Sequence, residues 1–194
     1  MTNIILCGVG GQGTVLASKL IAMAAIQRGE SAHTAETIGM AQRGGSVVSH
    51  VRIGENSFSP LIPLGSADMI IAFEPAEAVR NLPYLKPNGT IIVNSAPVKP
   101  VTDALSDTSY DCNTMLDYLK KQEVDLFIID GNSIIAELGS AKSLNVALLS
   151  AACKTGKLGF NVAEITEAIK NFVKPAFLSQ NIKAVELGAK AINT

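Results

Sequence analysis

The feature that most constrains the fold is an apolar run near the amino terminus that ends in closely spaced glycines. Residues 3–8 (NIILCG) predict a buried strand, because a short apolar run bounded by glycine is typical of one. Residues 14–27 mix apolar side chains with alanine and predict a helix. Between them, Gly8-x-Gly10-x-x-Gly13 has the spacing of a dinucleotide-binding fingerprint. The chain therefore opens with a Rossmann-like strand, glycine loop and helix.

The glycine loop has the chemistry of an anion or partner site. Gly8 permits a tight turn, Gly10 and Gly11 let the backbone approach a ligand, and Gly13 lets the helix pack near the strand. Backbone N–H groups converge at a helix N-terminus, where partial positive charge accumulates. Gln12 adds a neutral donor and acceptor. A phosphate, a carboxylate or a side chain of a partner would suit this loop.

Two interpretations of the loop stay open at this point. A nucleotide site needs an acidic residue about 20 positions on to bind ribose, and Glu36 lies 23 residues after Gly13. Alternatively, the glycines serve only a tight turn between strand and helix. A Walker A loop is excluded, because no Gly-Lys-Ser/Thr follows.

The rest of the chain alternates strands with helices. Predicted strands occupy residues 31–36, 46–54, 67–73, 89–94 and 124–131, and predicted helices occupy residues 75–85, 112–122, 133–138, 144–155, 163–172 and 176–192. This order predicts one α/β domain over residues 1–194, with three α/β/α layers, a mostly parallel sheet and a helical C-terminal part. The strand at 46–54 follows a loop (37–45) instead of a helix, so we expect some antiparallel pairing and a mixed sheet.

Composition narrows the classes of function. The formal net charge is −1, so no global basic field favours nucleic acid or an anionic membrane. The apolar runs are too short to span a bilayer. The three cysteines (Cys7, Cys112 and Cys153) are far apart, whereas an iron–sulfur cluster usually takes four thiolates. We therefore expect no metal site on this chain and a buried thiol at Cys7; the odd cysteine count and the lack of a signal peptide suggest the cytoplasm.

A second segment, ETIGMAQRGGSVVSHVRIG (36–54), is more unusual than the first. Arg43 stands directly before Gly44 and Gly45 in a predicted loop, and arginine beside flexible backbone can grip a carboxylate or phosphate with two hydrogen bonds. His50 and Arg52 share one face of the following strand. The roles of these two residues stay open, and we expect them to face solvent at a sheet edge.

Three blocks in order resemble the gamma-type domain of 2-oxoacid:ferredoxin oxidoreductases: GVGGQGTVLASKL, AETIGMAQRGGSVVSHVRIG and SPLIPLGSADMIIAFEPAEAVRNLPYLKPNGTIIVN, followed by NVALLSAACKTG. The resemblance covers most of the chain and is weak from about residue 96 to residue 122. Within the family, GMAQRGG and SHVRIG…SPLI are most similar to the small, beta subunit of indolepyruvate:ferredoxin oxidoreductase.

The resemblance implies a reaction whose catalytic and cofactor-binding motifs we do not find in this sequence. In that family thiamine diphosphate attacks the 2-oxo acid, CO2 leaves, electrons pass through 4Fe–4S clusters to ferredoxin, and coenzyme A takes the acyl group. No catalytic residue is predicted here. The segment IDGNS lacks the preceding glycine and the asparagine pair of a thiamine diphosphate site, and we expect a strand-to-helix turn capped by Asn132 or Ser133. The implied protein is a subunit that is inactive alone and joins a large partner carrying thiamine diphosphate and the clusters.

We hypothesise that the glycine loop and the segment Arg43, Gly44 and Gly45 lie close together and face the partner or its substrate channel. A coenzyme A phosphate or the carboxylate of an aryl pyruvate would then be the ligand. Two other hypotheses remain: a stand-alone NAD- or flavin-dependent oxidoreductase with Glu36 on a ribose, and a structural assembly module.

Overall fold

The computed structural model describes residues 1–38, 45–55, 59–98 and 110–192. These residues form six strands: β1 (Thr2–Val9), β2 (Ala32–Ile38), β3 (Ser46–Ile53), β4 (Ala67–Ala72), β5 (Leu85–Asn94) and β6 (Asp125–Ile129). They also form the α-helices α1 (Thr14–Gln27), α2 (Pro75–Asn81), α3 (Cys112–Lys120), α4 (Gly131–Leu138), α5 (Leu144–Lys154), α6 (Val162–Phe172) and α7 (Pro175–Lys190). The predicted elements are confirmed within a few residues at their ends; the predicted helix 75–85 is the main exception, because it ends at Asn81 and a 3₁₀ turn (Leu82–Tyr84) follows.

The sheet is mixed, as predicted, with the strand order β2-β3-β1-β4-β5-β6. Strands β1, β4, β5 and β6 pair in parallel, whereas β3 pairs antiparallel with both β1 and β2. The antiparallel strand is the one that the sequence predicted to follow a loop, since a parallel return needs a crossover such as a helix. The parallel strands therefore end at one edge of the sheet, and the glycine loop follows β1 at that edge.

Helices cover both faces of the sheet and confirm the three layers. Along β1, Ile4 and Leu6 pack into the layer of α1, α4, α5, α6 and α7, whereas Ile5 and Cys7 pack into the layer of α2 and α3. Successive side chains of a strand point to opposite faces, so a continuous apolar run is what a doubly covered strand requires. No helix within the described ranges has the length and apolar character needed to cross a membrane.

The helical C-terminal part packs around α5, whose residues from Leu144 to Cys153 are all buried. Helix α7 lies directly against it: a Cβ atom on Gly188 would collide with the backbone carbonyl of Ala147. The Ser150 hydroxyl donates to the Val185 carbonyl at 2.7 Å, which ties the same two helices together. Glycine at position 188 is therefore a condition of this close approach.

One predicted cap is wrong. Helix α4 is capped by Asp130, not by Asn132 or Ser133. The Oδ1 atom of Asp130 accepts the N–H groups of Asn132 at 3.1 Å and Ser133 at 3.2 Å, and Oδ2 accepts the Ser133 hydroxyl. These hydrogen bonds to the charged form hold the pKa of Asp130 below its usual range. Since β6 ends at Ile129, the next residue is already in the capping position.

Candidate functional site

The glycine loop is a tight turn that only glycine tolerates at two positions. Gly11 has φ of 100° and Gly13 has φ of 81°, in the left-handed region that costs other residues about 1–2 kcal/mol. Gly13 is the N-cap of α1. Gly8 is required for a different reason, because a Cβ there would lie 2.6 Å from Oε1 of Gln12 and 3.1 Å from the Phe73 Cβ. The turn therefore brings the end of β1 against the end of β4.

The side-chain amide of Gln12 stabilises this turn with two hydrogen bonds. Its Oε1 atom accepts the N–H of Val9 at 2.8 Å, and its Nε2 donates to the carbonyl of Phe73 at 3.0 Å. The side-chain amide thus joins the last residue of β1 to the residue after β4. Both ends of the amide are engaged within the fold, and a contact of Gln12 with a ligand stays a prediction.

The backbone N–H groups of the loop differ in whether they donate a hydrogen bond within the fold. The N–H of Gly10 donates to the Gly45 carbonyl at 2.8 Å. The N–H groups of Gly11 and Gly13 donate to no other described residue, and the first hydrogen bond of α1 runs from Ala17 to Gly13 at 3.1 Å. These two groups lie at the positive end of a 14-residue helix. Gly11 is exposed, and a Cβ on it would meet no atom within 4 Å, so the space beside Gly11 is open to an anion, whereas Gly13 is half-buried.

A cavity of about 290 Å³ opens beside the loop, at the carboxyl edge of β1, β4 and β5. Gly11 and Gln12 form one side, and Val98, Ile135 and Leu144 contribute apolar wall. Lys142 also lines the cavity and brings a cation to it. Crevices outside the carboxyl ends of parallel strands are the usual ligand sites of open α/β sheets. The cavity, the loop donors and Lys142 together suit an anionic ligand with an apolar part.

Two asparagines that were not predicted from the sequence line this cavity and form hydrogen bonds to the backbone around it. Asn145 is 2% exposed, and its Nδ2 donates to the Gly13 carbonyl at 3.1 Å. Asn94 donates to the carbonyl of Phe73 at 3.1 Å and accepts the N–H of Ala96 at 3.1 Å. Isolated asparagines carry no spacing signal, so sequence reasoning had no means of finding them.

The second motif meets the first at one described point. Arg43 and Gly44 lie outside the described residues, whereas Gly45 is described and accepts the hydrogen bond from Gly10. The next residue, Ser46, starts β3, and its hydroxyl donates to Oε2 of Glu77 at 2.6 Å. The two segments that were expected to lie together therefore touch, and sequence reasoning missed the buried glutamate behind them. In the structure Glu74 caps α2, because its side chain accepts the N–H of Glu77 at 3.1 Å.

His50 and Arg52 fasten a neighbouring loop. His50 is 4% exposed, and its Nδ1 accepts the N–H of Ile62 at 3.2 Å. Burial lowers its pKa. The guanidinium of Arg52 donates to the Ser59 carbonyl at 2.8 Å and to Oδ1 of Asn3 at 3.1 Å. The expectation that His50 and Arg52 face solvent at a sheet edge is wrong, because β3 is an interior strand. The segment from Ser59 to Ile62 exchanges hydrogen bonds with both side chains.

The cysteines do not form a cluster site. Cys7 lies in the α2 and α3 layer and Cys153 in the opposite layer, so the sheet separates them. The Cys7 thiol donates to the Glu77 carbonyl at 3.4 Å, and burial raises its pKa well above the usual value. Burial raises the pKa of Cys153 to about 12. Within the described part of the chain, no group of three His, Cys, Asp or Glu side chains could hold a metal ion, so the donor set there does not fit an iron–sulfur cluster.

Glu36 is placed unfavourably for a ribose. It lies in β2, an edge strand, where its Cα partner is Ser49 of β3. In dinucleotide-binding sheets the strand that carries the acidic residue is adjacent to the strand before the glycine loop. Here β3 intervenes, so Glu36 is two strands, or about 10 Å, from β1. This arrangement favours neither NAD nor a flavin nucleotide.

Comparison with known proteins matches nearly the whole chain to one family. The profile of the pyruvate ferredoxin/flavodoxin oxidoreductase family matches residues 3–191. Indolepyruvate oxidoreductase subunit IorB of Thermococcus kodakarensis is 36% identical over 194 residues, covering 97% of this chain and 95% of that protein. The pyruvate/ketoisovalerate oxidoreductases common subunit gamma of the same organism is 28% identical over 181 residues, covering 92% and 90%.

A solved structure shares the fold. It is 2-oxoglutarate:ferredoxin oxidoreductase from Magnetococcus marinus with 2-oxoglutarate, coenzyme A and succinyl-CoA bound. The TM-score is 0.74 at 19% identity, and the match covers 99% of this chain and 31% of that one. At this level of identity the likeness concerns the fold alone, and the matched part is a minor share of a longer polypeptide.

Proposed function

The chain belongs to the pyruvate ferredoxin/flavodoxin oxidoreductase family as a small subunit of a 2-oxoacid:ferredoxin oxidoreductase, and we propose that its enzyme acts on aryl pyruvates such as indolepyruvate. The reaction would be oxidative decarboxylation to the acyl-CoA, with electrons passed to ferredoxin. The higher identity to the relative named for indolepyruvate (36%) than to the one named for pyruvate and ketoisovalerate (28%) supports this substrate class.

We propose further that the chain is inactive alone. A large partner would hold thiamine diphosphate, which supplies the decarboxylation chemistry, and the 4Fe–4S clusters. Two observations on the described residues support this division. Cys7 and Cys153 lie on opposite sides of the sheet. The segment IDGNS, which was compared with a thiamine diphosphate motif, uses Asp130 to cap α4. A cytoplasmic location follows as an expectation of the same proposal.

The contribution of this chain would be an anion cradle for coenzyme A. The N–H groups of Gly11 and Gly13, the N-terminus of α1 and Lys142 would bind a phosphate group. The apolar cavity wall would accommodate part of the remaining molecule. Arg43, directly before Gly44 and Gly45, would complete the cradle. The observation that carries this proposal is the hydrogen bond between Gly10 and Gly45, which joins the two motifs beside the cavity.

The proposal is tested by producing the chain together with its large partner subunit and measuring viologen reduction. We expect reduction that depends on coenzyme A and is faster with indolepyruvate or phenylpyruvate than with pyruvate. The order of activity reversed in favour of pyruvate would contradict the aryl assignment. The small chain alone should be colourless, should not bind NAD in a titration, and should not reduce viologen.

Arg43→Ala tests the cradle. We expect it to raise the KM for coenzyme A by about tenfold or more, because a charged hydrogen-bonding group is removed from a phosphate. Lys19→Ala is a matched control, since Lys19 is an exposed cation on α1 away from the loop. Normal assembly together with unchanged kinetics for both substrates would remove Arg43 from the site.

A further inference from the structure

Glu77 is a buried carboxylate that the proposed reaction does not use. It is 3% exposed and lies on α2, in the layer opposite α1. Its Oε1 atom pairs with Arg80, and its Oε2 atom accepts the Ser46 hydroxyl at 2.6 Å. Its backbone N–H donates to Glu74 at 3.1 Å, so Glu77 is fixed at both its main chain and its side chain.

From Glu77 a continuous path of bonds leads to the glycine loop. Ser46 is the register partner of Val9, the last residue of β1. The residue before Ser46 is Gly45, whose carbonyl accepts the N–H of Gly10. The carboxylate on α2 therefore holds Ser46, the residue directly after the one that contacts the glycine loop.

A purely structural role explains this arrangement poorly. Burying a carboxylate is costly, and the ion-pair partner of Glu77, Arg80, is itself 60% exposed, so the pair offsets only part of that cost. The apolar cluster of this layer includes Cys7, whose thiol donates to the Glu77 carbonyl, and Ala78, the residue after Glu77. What an apolar residue cannot supply is a charged acceptor for Ser46 at the junction of the two motifs.

We propose that Glu77 is a positioning residue: through Ser46 it fixes Gly45 against the glycine loop and thereby sets the affinity of the loop for the phosphate of coenzyme A. This inference rests on the proposed function of the loop. It assigns Glu77 no contact with substrate and no proton transfer. Its effect is on the geometry of the cradle, so it should appear in the binding of coenzyme A and not in turnover at saturation.

The decisive variant is Ser46→Ala, studied in the complex with the large subunit. It removes the hydroxyl and leaves the ion pair of Glu77 with Arg80 intact. We expect the KM for coenzyme A to rise about five- to tenfold while kcat stays within about twofold. Ser46→Thr, which keeps the hydroxyl, should restore most of the affinity. Ser49→Ala is the matched control, because Ser49 is buried on the same strand and its hydroxyl has no hydrogen-bond partner among the described residues.

Glu77→Gln provides a second test that keeps the side-chain volume. It should raise the KM for coenzyme A in the same direction as Ser46→Ala, and the double variant should be no worse than the more affected single one. An unchanged KM in Ser46→Ala overturns the inference, including when the variant melts at a lower temperature, because the hydrogen bond would then serve stability alone.

The Arg43→Ala variant separates this inference from the proposed function. If Arg43→Ala raises the KM for coenzyme A and Ser46→Ala does not, the proposed coenzyme A site is supported and the positioning role of Glu77 is contradicted. If neither variant changes the KM, both are overturned. If Ser46→Ala alone raises the KM, the positioning of the glycine loop is supported and Arg43 is removed from the proposed site.

Discussion

Substituting Gly13 by alanine should destabilise the chain through two separable effects. The first is backbone strain, since φ of 81° costs an alanine about 1–2 kcal/mol. The second is a collision, because the new Cβ would lie 2.5 Å from Nδ2 of Asn145. Moving that side chain sacrifices its hydrogen bond to the Gly13 carbonyl, worth about 1 kcal/mol. The expected loss in the free energy of unfolding is about 2–3 kcal/mol.

Urea unfolding of the full chain measures this loss, and Gly139→Ala serves as the matched control. Gly139 has φ of 70°, and a Cβ there would meet no atom within 4 Å, so its substitution introduces strain without a collision. Gly13→Ala should therefore exceed Gly139→Ala by about 1 kcal/mol. In the Gly13→Ala background, Asn145→Ala should cost less than it does in the wild type, since the clashing amide is gone.

The reasoning fails if Gly13→Ala destabilises the chain no more than Gly139→Ala does. Equal values would mean that α5 and the loop move apart freely, and that Asn145 does not determine where the loop lies. The same would follow if the effects of Gly13→Ala and Asn145→Ala simply added.

Two further predictions concern the packing and the titration of buried residues. Gly188→Ala should lower the free energy of unfolding by about 2 kcal/mol in urea denaturation, because forcing α7 away from Ala147 outweighs the better helix propensity of alanine; a stabilised variant would contradict the close approach. Burial lowers the pKa of His50, so the unfolded chain binds more protons below about pH 6.5 and the stability contributed by neutral His50 is lost as the pH falls through that value toward the folded pKa. Between about pH 7 and about pH 5, urea unfolding should show a steeper loss of stability for the wild type than for His50→Phe, and equal slopes would exclude His50 as the cause.

Much of the fold follows from local pattern. The apolar run 3–8, its glycines and the following helix specify the β1–α1 unit, because each segment has one conformation that buries it well. The antiparallel β3 also follows from local pattern, since the sequence of residues 37–45 predicts a loop and not a helical crossover. The order β2-β3-β1 does not, because which side of β1 a hairpin occupies depends on packing across the sheet.

The candidate site was predictable where its residues form motifs and hidden where they act singly. The glycine spacing predicted a turn, and the juxtaposition with Gly45 was expected from the chemistry of two anion-compatible segments. Lys142, Asn145 and Glu77 reach the site or its support from elements far away in sequence, and no spacing connects them. Glu77 was hidden for an additional reason: a glutamate in the first turn of a helix is ordinary, and its burial becomes evident only from the packing of α2 on β1.

Strand β3 contacts two different parts of the molecule, one at each of its ends. At its start, Gly45 and Ser46 join the glycine loop at the carboxyl edge of the parallel strands. Toward its end, His50 and Arg52 pair in register with Ile5 and Asn3 near the opposite edge, where they hold the segment from residue 59 to residue 65. A resemblance in SHVRIG…SPLI is therefore explained by the anchoring of that segment. The block GMAQRGG ends at Gly45, whose carbonyl accepts the N–H of Gly10 in the glycine loop. Under the proposed function, evidence for substrate class should therefore be sought first at this junction and in the partner subunit.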